Sequence, residues 1–292
     1  MNPHLSPPKV YPLYACFSLK CVINERGKGT DRFFYRVGNK IGVKMVSKNR
    51  IEKSELMATL EHHQKWLGTG GKQGARADLR GRNLSGHNLQ QANLKRANLE
   101  GTNLGRTNLR TTNLKETNLK AANIGYSDLQ WSIFQGADLR RACLEGASLH
   151  YADFSRSDLS HTSMGNVFLH NAYFFKATLE SADLRGASLR FTEMNFANLH
   201  GTNLSGAVIA TTKMIGADLS DSDLSNTQIS MSNFENATLY NTRFNCAYLL
   251  KTSFYMADLR GSDFNNSKVE LVDFNEAMFS KKTEEQQWTM ER

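Results

Sequence analysis

An apolar residue occupies every fifth position of the chain from Leu79 to Phe279, forty-one times without a break in register. These positions hold 25 Leu, 9 Phe, 3 Ile, 3 Met and 1 Val, and none of them is polar. The residue two places earlier is Ala, Ser or Thr in 37 of the 41 units. A strict period of five matches neither the 3.6-residue period of a helix nor the two-residue period of a strand. The pattern instead predicts a solenoid, in which short units stack on their neighbours.

A second period, of twenty residues, shows how many units make one turn. The apolar column that begins at Leu79 and recurs every twenty residues is Leu until Phe279. The column that begins at Leu94 holds six of the nine Phe. We infer that four units close one four-sided turn and that like side chains stack between turns. The small residue of each unit would also point inward, where only a compact side chain packs beside a stacked Leu or Phe.

The repeat resembles the Ala-(Asp/Asn)-Leu-x-x motif of pentapeptide-repeat proteins, through segments such as ADLRG at 77–81 and 257–261, ANLKR at 92–96 and ANLEG at 97–101. It covers about 205 of the 292 residues. The resemblance implies an all-β solenoid: a right-handed quadrilateral β-helix of about ten four-sided coils over 75–281. At about 4.8 Å between strands, the rod would be about 48 Å long. Arg82 and His87 replace the small inward residue in the first coil, which we therefore expect to be looser.

The open end of a solenoid exposes apolar core and unpaired backbone, so it needs a cap. Residues 51–74 are interpreted as a capping helix and a linker. The helix, predicted over 55–67, has Ser54 as its N-cap and Gly68 as its stop. We expect it to lie over the first coil with one side turned inward, carrying Leu56, Met57, Leu60, His63 and Leu67.

The two ends of the chain carry weaker signals. Residues 1–50 form an extension with a possible short β pair around Gly38-Asn39 and too little apolar surface for a core of their own. We expect the native protein to start at Met45. Residues 282–292 form a polar tail, in which Trp288 is expected to fold over the last coil.

Charge is distributed unevenly along the chain. Residues 1–76 carry 14 Lys/Arg against 5 Asp/Glu, and residues 77–126 carry 8 against 3. Residues 127–292 carry 14 against 20. The rod is therefore expected to have a basic head and an acidic tail. The uneven charge either belongs to an ordinary solvated surface or lets one end of the rod bind a partner of opposite charge.

The location of the protein is inferred from what the sequence lacks. No apolar run approaches the roughly 18 residues that a transmembrane helix needs, so we expect no membrane insertion. The proline-interrupted N-terminus does not resemble a signal peptide. The four cysteines have neither metal-site nor disulfide-framework spacing, and Cys143 and Cys246 are expected to be free thiols. These observations favour the cytoplasm.

No catalytic, cofactor-binding or metal-binding motif stands out. His150 and His170 lie one turn apart on one side, but two histidines without a carboxylate or thiolate in the same columns make a poor metal site. The nine consecutive units with Asn, from Asn83 to Asn123, are read as a structural ladder, because Asn amides bond nearby backbone at turns. We therefore expect neither an enzyme nor a bound cofactor.

Outward positions of the middle coils hold several large apolar side chains. The period places five of them along the corner between the third and fourth sides, with Phe168, Phe175 and Phe196 nearby: Trp131, Ile133, Tyr151, Tyr173 and Phe191. Exposed aromatic patches usually contact a protein. The candidate binding residues are Trp131, Ile133, Tyr151, Phe168, Tyr173 and Phe191. The alternative is that these side chains only cover one another.

The leading hypothesis is a non-enzymatic rod for protein–protein interaction or scaffolding, with an unidentified protein partner. The resemblance supplies an alternative, since some family members mimic B-form DNA and regulate or protect type II topoisomerases. The nearly neutral repeat region disfavours DNA mimicry. Its acidic half and its Phe-rich last coils keep this alternative open, because such family members tend to form dimers through that end. A homodimer through the C-terminal coils is therefore considered as well. Direct nucleic-acid binding by the basic head is disfavoured because no aromatic residues are interleaved among Arg80, Arg82, Lys95, Arg96, Arg106, Arg110 and Lys115.

Overall fold

The computed structural model describes residues 31–37, 40–46 and 49–281. Strands β1 (Asp31–Val37) and β2 (Lys40–Val46) pair antiparallel, which confirms the β pair expected from the sequence. The expectations for the first thirty residues and for the tail, including Trp288, lie outside the described residues. No helix in the described part of the chain is long and apolar enough to span a membrane.

The repeat forms a right-handed quadrilateral β-helix. The residue before each apolar one bridges in parallel to the residue twenty positions later, as in Asp78 with Asn98 and Asn83 with Asn103. The four sides are numbered from the unit of Leu79, and the coils run from coil 1 (77–96) to coil 10 (257–276). The parallel bridges between residues twenty positions apart confirm the predicted four units per turn.

Within the described part of the repeat region, extended strands lie on the third side of the last four coils. They are β3 (Val208–Ala210), β4 (Gln228–Ser230), β5 (Tyr248–Leu250) and β6 (Lys268–Glu270), paired in parallel in chain order. The central residues of the first two, Ile209 and Ile229, replace the Leu of earlier coils on this side, and β-branched residues favour extended backbone. This stretch of the third side is consequently a four-stranded parallel sheet.

The core is a stack of like side chains, as the twenty-residue period predicts. Phe134, Phe154 and Phe174 are fully buried, with ring centroids 4.4 and 4.9 Å apart. The small inward residue is buried beside them, and where it is Thr it needs a partner. Thr102 donates its hydroxyl to the carbonyl of Leu79 at 2.8 Å, so the buried oxygen is satisfied.

The Asn and Asp of the motif stabilise the turns. The Oδ1 atom of Asn83 accepts a hydrogen bond from the backbone N–H of Ser85 at 3.0 Å, and most units repeat this contact. On the second side the amides also bond between coils, Asn103 to Asn83 at 3.0 Å and Asn123 to Asn103 at 3.1 Å. The geometry agrees with a structural role for the Asn ladder.

Every unit from that of Leu79 to that of Phe274 ends at a corner residue with positive φ, whether or not this residue is glycine. Glycines such as Gly81 have φ near +62°, and so does Gln91 at +61°. The sequence points to glycine corners but does not reveal that non-glycine residues adopt the same left-handed conformation, which costs an L-residue about 1–2 kcal/mol.

Helix α1 runs from Lys53 to Gly68, slightly longer than predicted. Its N-cap is Glu52 without a capping side-chain bond, so the assignment of Ser54 as N-cap is wrong. The chain just before it pairs with coil 1, because the N–H of Ile51 donates to Asn83 and the N–H of Asn83 donates to Asn49. This pairing adds a partial rung above the second side and fixes where the helix begins.

The helix covers coil 1 through Leu56 and His63, which are buried, whereas Met57 is 59 % exposed and was wrongly placed on the inner side. His63 accepts a hydrogen bond from the N–H of Ala77 at its Nδ1 atom (3.1 Å), and its Nε2 atom is buried without a partner among the described residues. Burial lowers the pKa of His63. Arg82 is half-buried and pairs with Glu55 of the helix, so this departure from the motif tethers the cap.

Candidate functional site

The aromatic corner is defined here as Trp131, Tyr151 and Phe191 at the corner between the third and fourth sides, with Ile133 and Tyr173 of the fourth side and Phe168 of the third. All six side chains are exposed, by 39 % for Tyr151 up to 56 % for Phe191. Their outward placement follows from the period. Large apolar side chains exposed together are costly to leave in water, and they mark contact surfaces in monomeric proteins.

Only part of this set is in direct contact. The rings of Trp131 and Tyr151 stack with centroids 3.9 Å apart and planes 3° apart. Phe191 lies two coils further on, beyond Asn171 in the same column. Ile133 and Tyr173 are separated by Asp153, which bridges to both through its backbone. The patch is therefore a stacked pair with outlying apolar residues, and it is not continuous.

The corner backbone that carries these rings is held by hydrogen bonds to the next coil. Trp131, Tyr151 and Phe191 have φ of +61°, +60° and +57°. Their N–H groups donate to the carbonyls of His150, His170 and Ala210 in the next coil at 2.9, 3.0 and 2.8 Å. A backbone that is ordered before a partner arrives loses little conformational entropy on binding.

A histidine pair borders the corner on the third side. The rings of His150 and His170 lie 4.8 Å apart, and the ring of Phe168 lies 6.3 Å from that of His150. Each histidine contacts a serine hydroxyl, Ser148 at 3.0 Å and Ser188 at 2.8 Å. Burial, with smaller effects of His150 and Arg190, lowers the pKa of His170. Within the described residues, no group of three or more His, Cys, Asp or Glu side chains is arranged to hold a metal ion.

A second aromatic contact lies one side away. Phe175 and Phe196 meet edge to face at 5.9 Å, and the ammonium group of Lys176 lies 5.3 Å from the ring centroid of Phe175. Both rings are exposed, by 39 % and 54 %. They extend the apolar surface from the aromatic corner across the fourth side. Sequence reasoning noted them only as neighbours.

Many carboxylates of the acidic half are already paired. In the units that read ADLR, the arginine folds back on the aspartate, as in Arg140 with Asp138 at 2.5 Å and Arg260 with Asp258 at 2.7 Å. The hydrogen bond from Arg140 lowers the pKa of Asp138. Such local pairing dilutes the dense negative surface that DNA mimicry would require.

The basic head is also partly neutralised. Ion pairs occupy Arg80, Arg82, Arg96 and Arg110, four of the seven basic residues considered for nucleic-acid contact. In the described part of the chain Lys95, Arg106 and Lys115 form no ion pair. Three scattered cations make a weak electrostatic footprint for nucleic acid.

The cysteines depart from expectation at one position. Cys246 is an exposed free thiol, as expected. Cys143 is disulfide-bonded, so the expectation of a free thiol is wrong there. Spacing gave no signal for this bond, since sequence alone does not indicate which cysteines meet in space.

The family described as Pentapeptide repeats matches in eight copies, over residues 75–110, 112–150, 152–190, 192–230 and 228–266. No curated protein shows significant similarity to the chain. Among solved structures, the chain resembles HetL, a pentapeptide repeat protein involved in heterocyst differentiation regulation from the cyanobacterium Nostoc sp. strain PCC 7120. The two are 23 % identical over 79 % of this chain and 98 % of HetL, with a TM-score of 0.45.

A trypsin-treated form of QnrB1, a plasmid-mediated fluoroquinolone resistance protein, is a second structural relative. It is 14 % identical over 74 % of this chain and 96 % of that chain, with a TM-score of 0.43. At these identities the likeness concerns the fold alone.

Proposed function

The chain belongs to the pentapeptide-repeat family, and from that premise we propose that it is a non-enzymatic rod whose aromatic corner docks another protein. The observation that carries this proposal is the stacked and exposed pair of Trp131 and Tyr151 on a rigid corner. Trp and Tyr provide large contact area for little entropy and dominate binding energy at protein interfaces.

The surface offers positioning and contact area, with few groups arranged for chemistry. The histidine pair contacts serine hydroxyls, and Asp138 and Asp258 are bound to arginines. The pairing of those carboxylates weakens the DNA-mimic alternative. A cytoplasmic location and self-association through the C-terminal coils stay predictions, the second measurable by sedimentation of the purified protein.

The corner conformation provides a clean test. Asn tolerates positive φ, and Asn171 occupies the same column at φ +57°. The triple substitution Trp131→Asn/Tyr151→Asn/Phe191→Asn should therefore remove the rings while retaining the fold. The matched control is Ala121→Asn/Arg141→Asn/Ser181→Asn, at the diagonally opposite corner of the same coils, where φ is also between +55° and +59°.

The experiment is quantitative capture from lysate of the source cells with wild type and both variants, after thermal melting shows that all three are folded. We expect a protein that wild type and control retain and the aromatic-corner variant loses. Equal retention by all three proteins would assign the aromatic residues to surface cover. Retention of a type II topoisomerase by all three would favour the mimic alternative.

A further inference from the structure

Between Asp128 of coil 3 and Glu270 of coil 10, a stretch that spans seven coils, the third side carries no carboxylate. Its outward residues and the adjoining corner, from Gln130 to Lys251, comprise twenty positions without Asp or Glu. This surface, called here the carboxylate-free side, consists of Gln130, Trp131, Ser148, His150, Tyr151, Phe168, His170, Asn171, Ser188, Arg190, Phe191, Val208, Ala210, Thr211, Gln228, Ser230, Met231, Tyr248, Leu250 and Lys251.

The first side shows that this absence is not general to the rod. Over the same seven coils, the outward residues of the first side and its corner include five carboxylates: Asp138, Asp158, Glu180, Asp218 and Asp221. The acidic excess of the C-terminal half is thus placed away from the carboxylate-free side.

The formal charges of the carboxylate-free side are all positive. Arg190 and Lys251 are exposed and form no ion pair with any described residue. His150 and His170 precede Arg190 in the same column and are half-buried. An anionic partner would meet cations here, and the nearest carboxylates of this side, Asp128 and Glu270, lie at its two ends.

On this side, half-buried strand residues lie next to exposed side chains of the corner. Strands β3, β4 and β5 form its floor toward the C-terminal end, with Val208, Ala210 and Leu250 half-buried. Trp131, Phe191 and Met231 project from the corner that borders it, exposed by 51 %, 56 % and 59 %. Seven coils at about 4.8 Å spacing give a length of about 30 Å, which corresponds to about 20 residues of α-helix.

We propose that the carboxylate-free side binds an acidic amphipathic helix of another protein, whose apolar stripe lies against the aromatic corner and whose Glu or Asp residues meet Arg190 and Lys251. This inference rests on the proposed docking function and names the chemistry of the partner. A helix suits the surface better than an added strand, because β3, β4 and β5 are paired on both edges. Side chains, and not free backbone groups, are what this surface offers.

The test is a selection of displayed random 20-residue peptides on the wild-type rod. Enriched peptides are then synthesised and titrated by fluorescence anisotropy against four proteins. These are wild type, the aromatic-corner variant, Arg190→Glu/Lys251→Glu, and the control Arg106→Glu/Arg141→Glu. The last pair changes net charge equally at exposed corners of other sides.

The enriched peptides should be net negative, with apolar residues at helical spacing. Their affinity should fall about tenfold or more in both the aromatic-corner and the Arg190→Glu/Lys251→Glu variants, and little in the control. Neutral or basic enriched peptides, equal weakening by the control, or no enrichment would overturn the proposal. Loss of binding with the aromatic variant alone would overturn the acidic-helix assignment while leaving the docking function intact. Binding unaffected by either variant would count against both.

Discussion

The stacked phenylalanines of the fourth side offer the sharpest test of the inward assignment. Phe154 is fully buried, with ring centroids 4.4 Å from Phe134 and 4.9 Å from Phe174. Truncating a buried Phe to Ala costs about 3–5 kcal/mol. Because two stacked pairs are lost as well, each worth about 0.5–1.5 kcal/mol in double-mutant cycles, we expect Phe154→Ala to fall at the upper end, about 4–5 kcal/mol.

Two companion variants separate volume from stacking and inside from outside. Phe154→Leu should cost about 1–2 kcal/mol, because Leu114 and Met194 show that the same column accepts aliphatic side chains, while both ring stacks are lost. Ser155→Ala changes the next, outward residue and should stay within about 0.5 kcal/mol of wild type.

Urea denaturation measures the free energy of unfolding, and hydrogen exchange shows where it changes. Because each coil contacts only its neighbours, faster exchange after Phe154→Ala should concentrate in coils 3 to 5. A similar loss for Phe154→Ala and Ser155→Ala would refute the inward and outward assignment. Uniformly faster exchange along the rod would refute the nearest-neighbour account.

Three smaller predictions concern the cap, the corners and the ion pairs. Because the pKa of His63 is lowered below its ordinary 6.5, the folded state binds fewer protons than the unfolded chain, so stability should fall as pH drops below about 6.5. In urea titrations at pH 7.5 and 5, His63→Asn should lose less free energy of unfolding on acidification than wild type does. An unchanged pH dependence of this variant would contradict the reasoning. Thr111→Gly, at a corner with φ +54°, should raise stability by about 0.5–1 kcal/mol. Thr112→Gly removes a buried hydroxyl that donates to the carbonyl of Leu89 at 2.9 Å, so it should lower stability by about 2 kcal/mol or more. Melting temperatures that shift in the same direction for both variants would refute the corner argument. Arg260→Ala should change stability by less than about 1 kcal/mol because its pair with Asp258 is exposed on the arginine side, and a larger urea-midpoint loss would show that these pairs hold the coils together.

The five-residue period predicts almost the whole rod, because it fixes for each residue whether its side chain points inward or outward. The stacks of Phe134, Phe154 and Phe174 follow from their twenty-residue spacing alone. The same spacing places Asp153 between Ile133 and Tyr173, so the interruption of the patch was legible in the sequence. The close ring stack of Trp131 on Tyr151 was not, because side-chain rotamers depend on neighbours that the period does not specify.

The cap shows where local signals are overridden by tertiary contacts. Ser54 has a side chain suited to an N-cap, yet the helix begins before it, at Lys53. The backbone of Asn49 and Ile51 pairs with Asn83 and positions the chain for this earlier start. Met57 fits the apolar stripe by spacing, but the docked helix is rotated so that Leu56 and His63 face coil 1 instead. Local propensity sets the helix, and packing sets its rotation.

Hydroxyl-radical footprinting of the rod, alone and with the protein that it captures, tests the docking claim most directly. The account predicts lower oxidation of Trp131, Tyr151 and Phe191 in the complex, with unchanged oxidation of Tyr126 and Tyr240 on other sides. Protection confined to those other sides, with the aromatic corner as reactive as in the free rod, would contradict it.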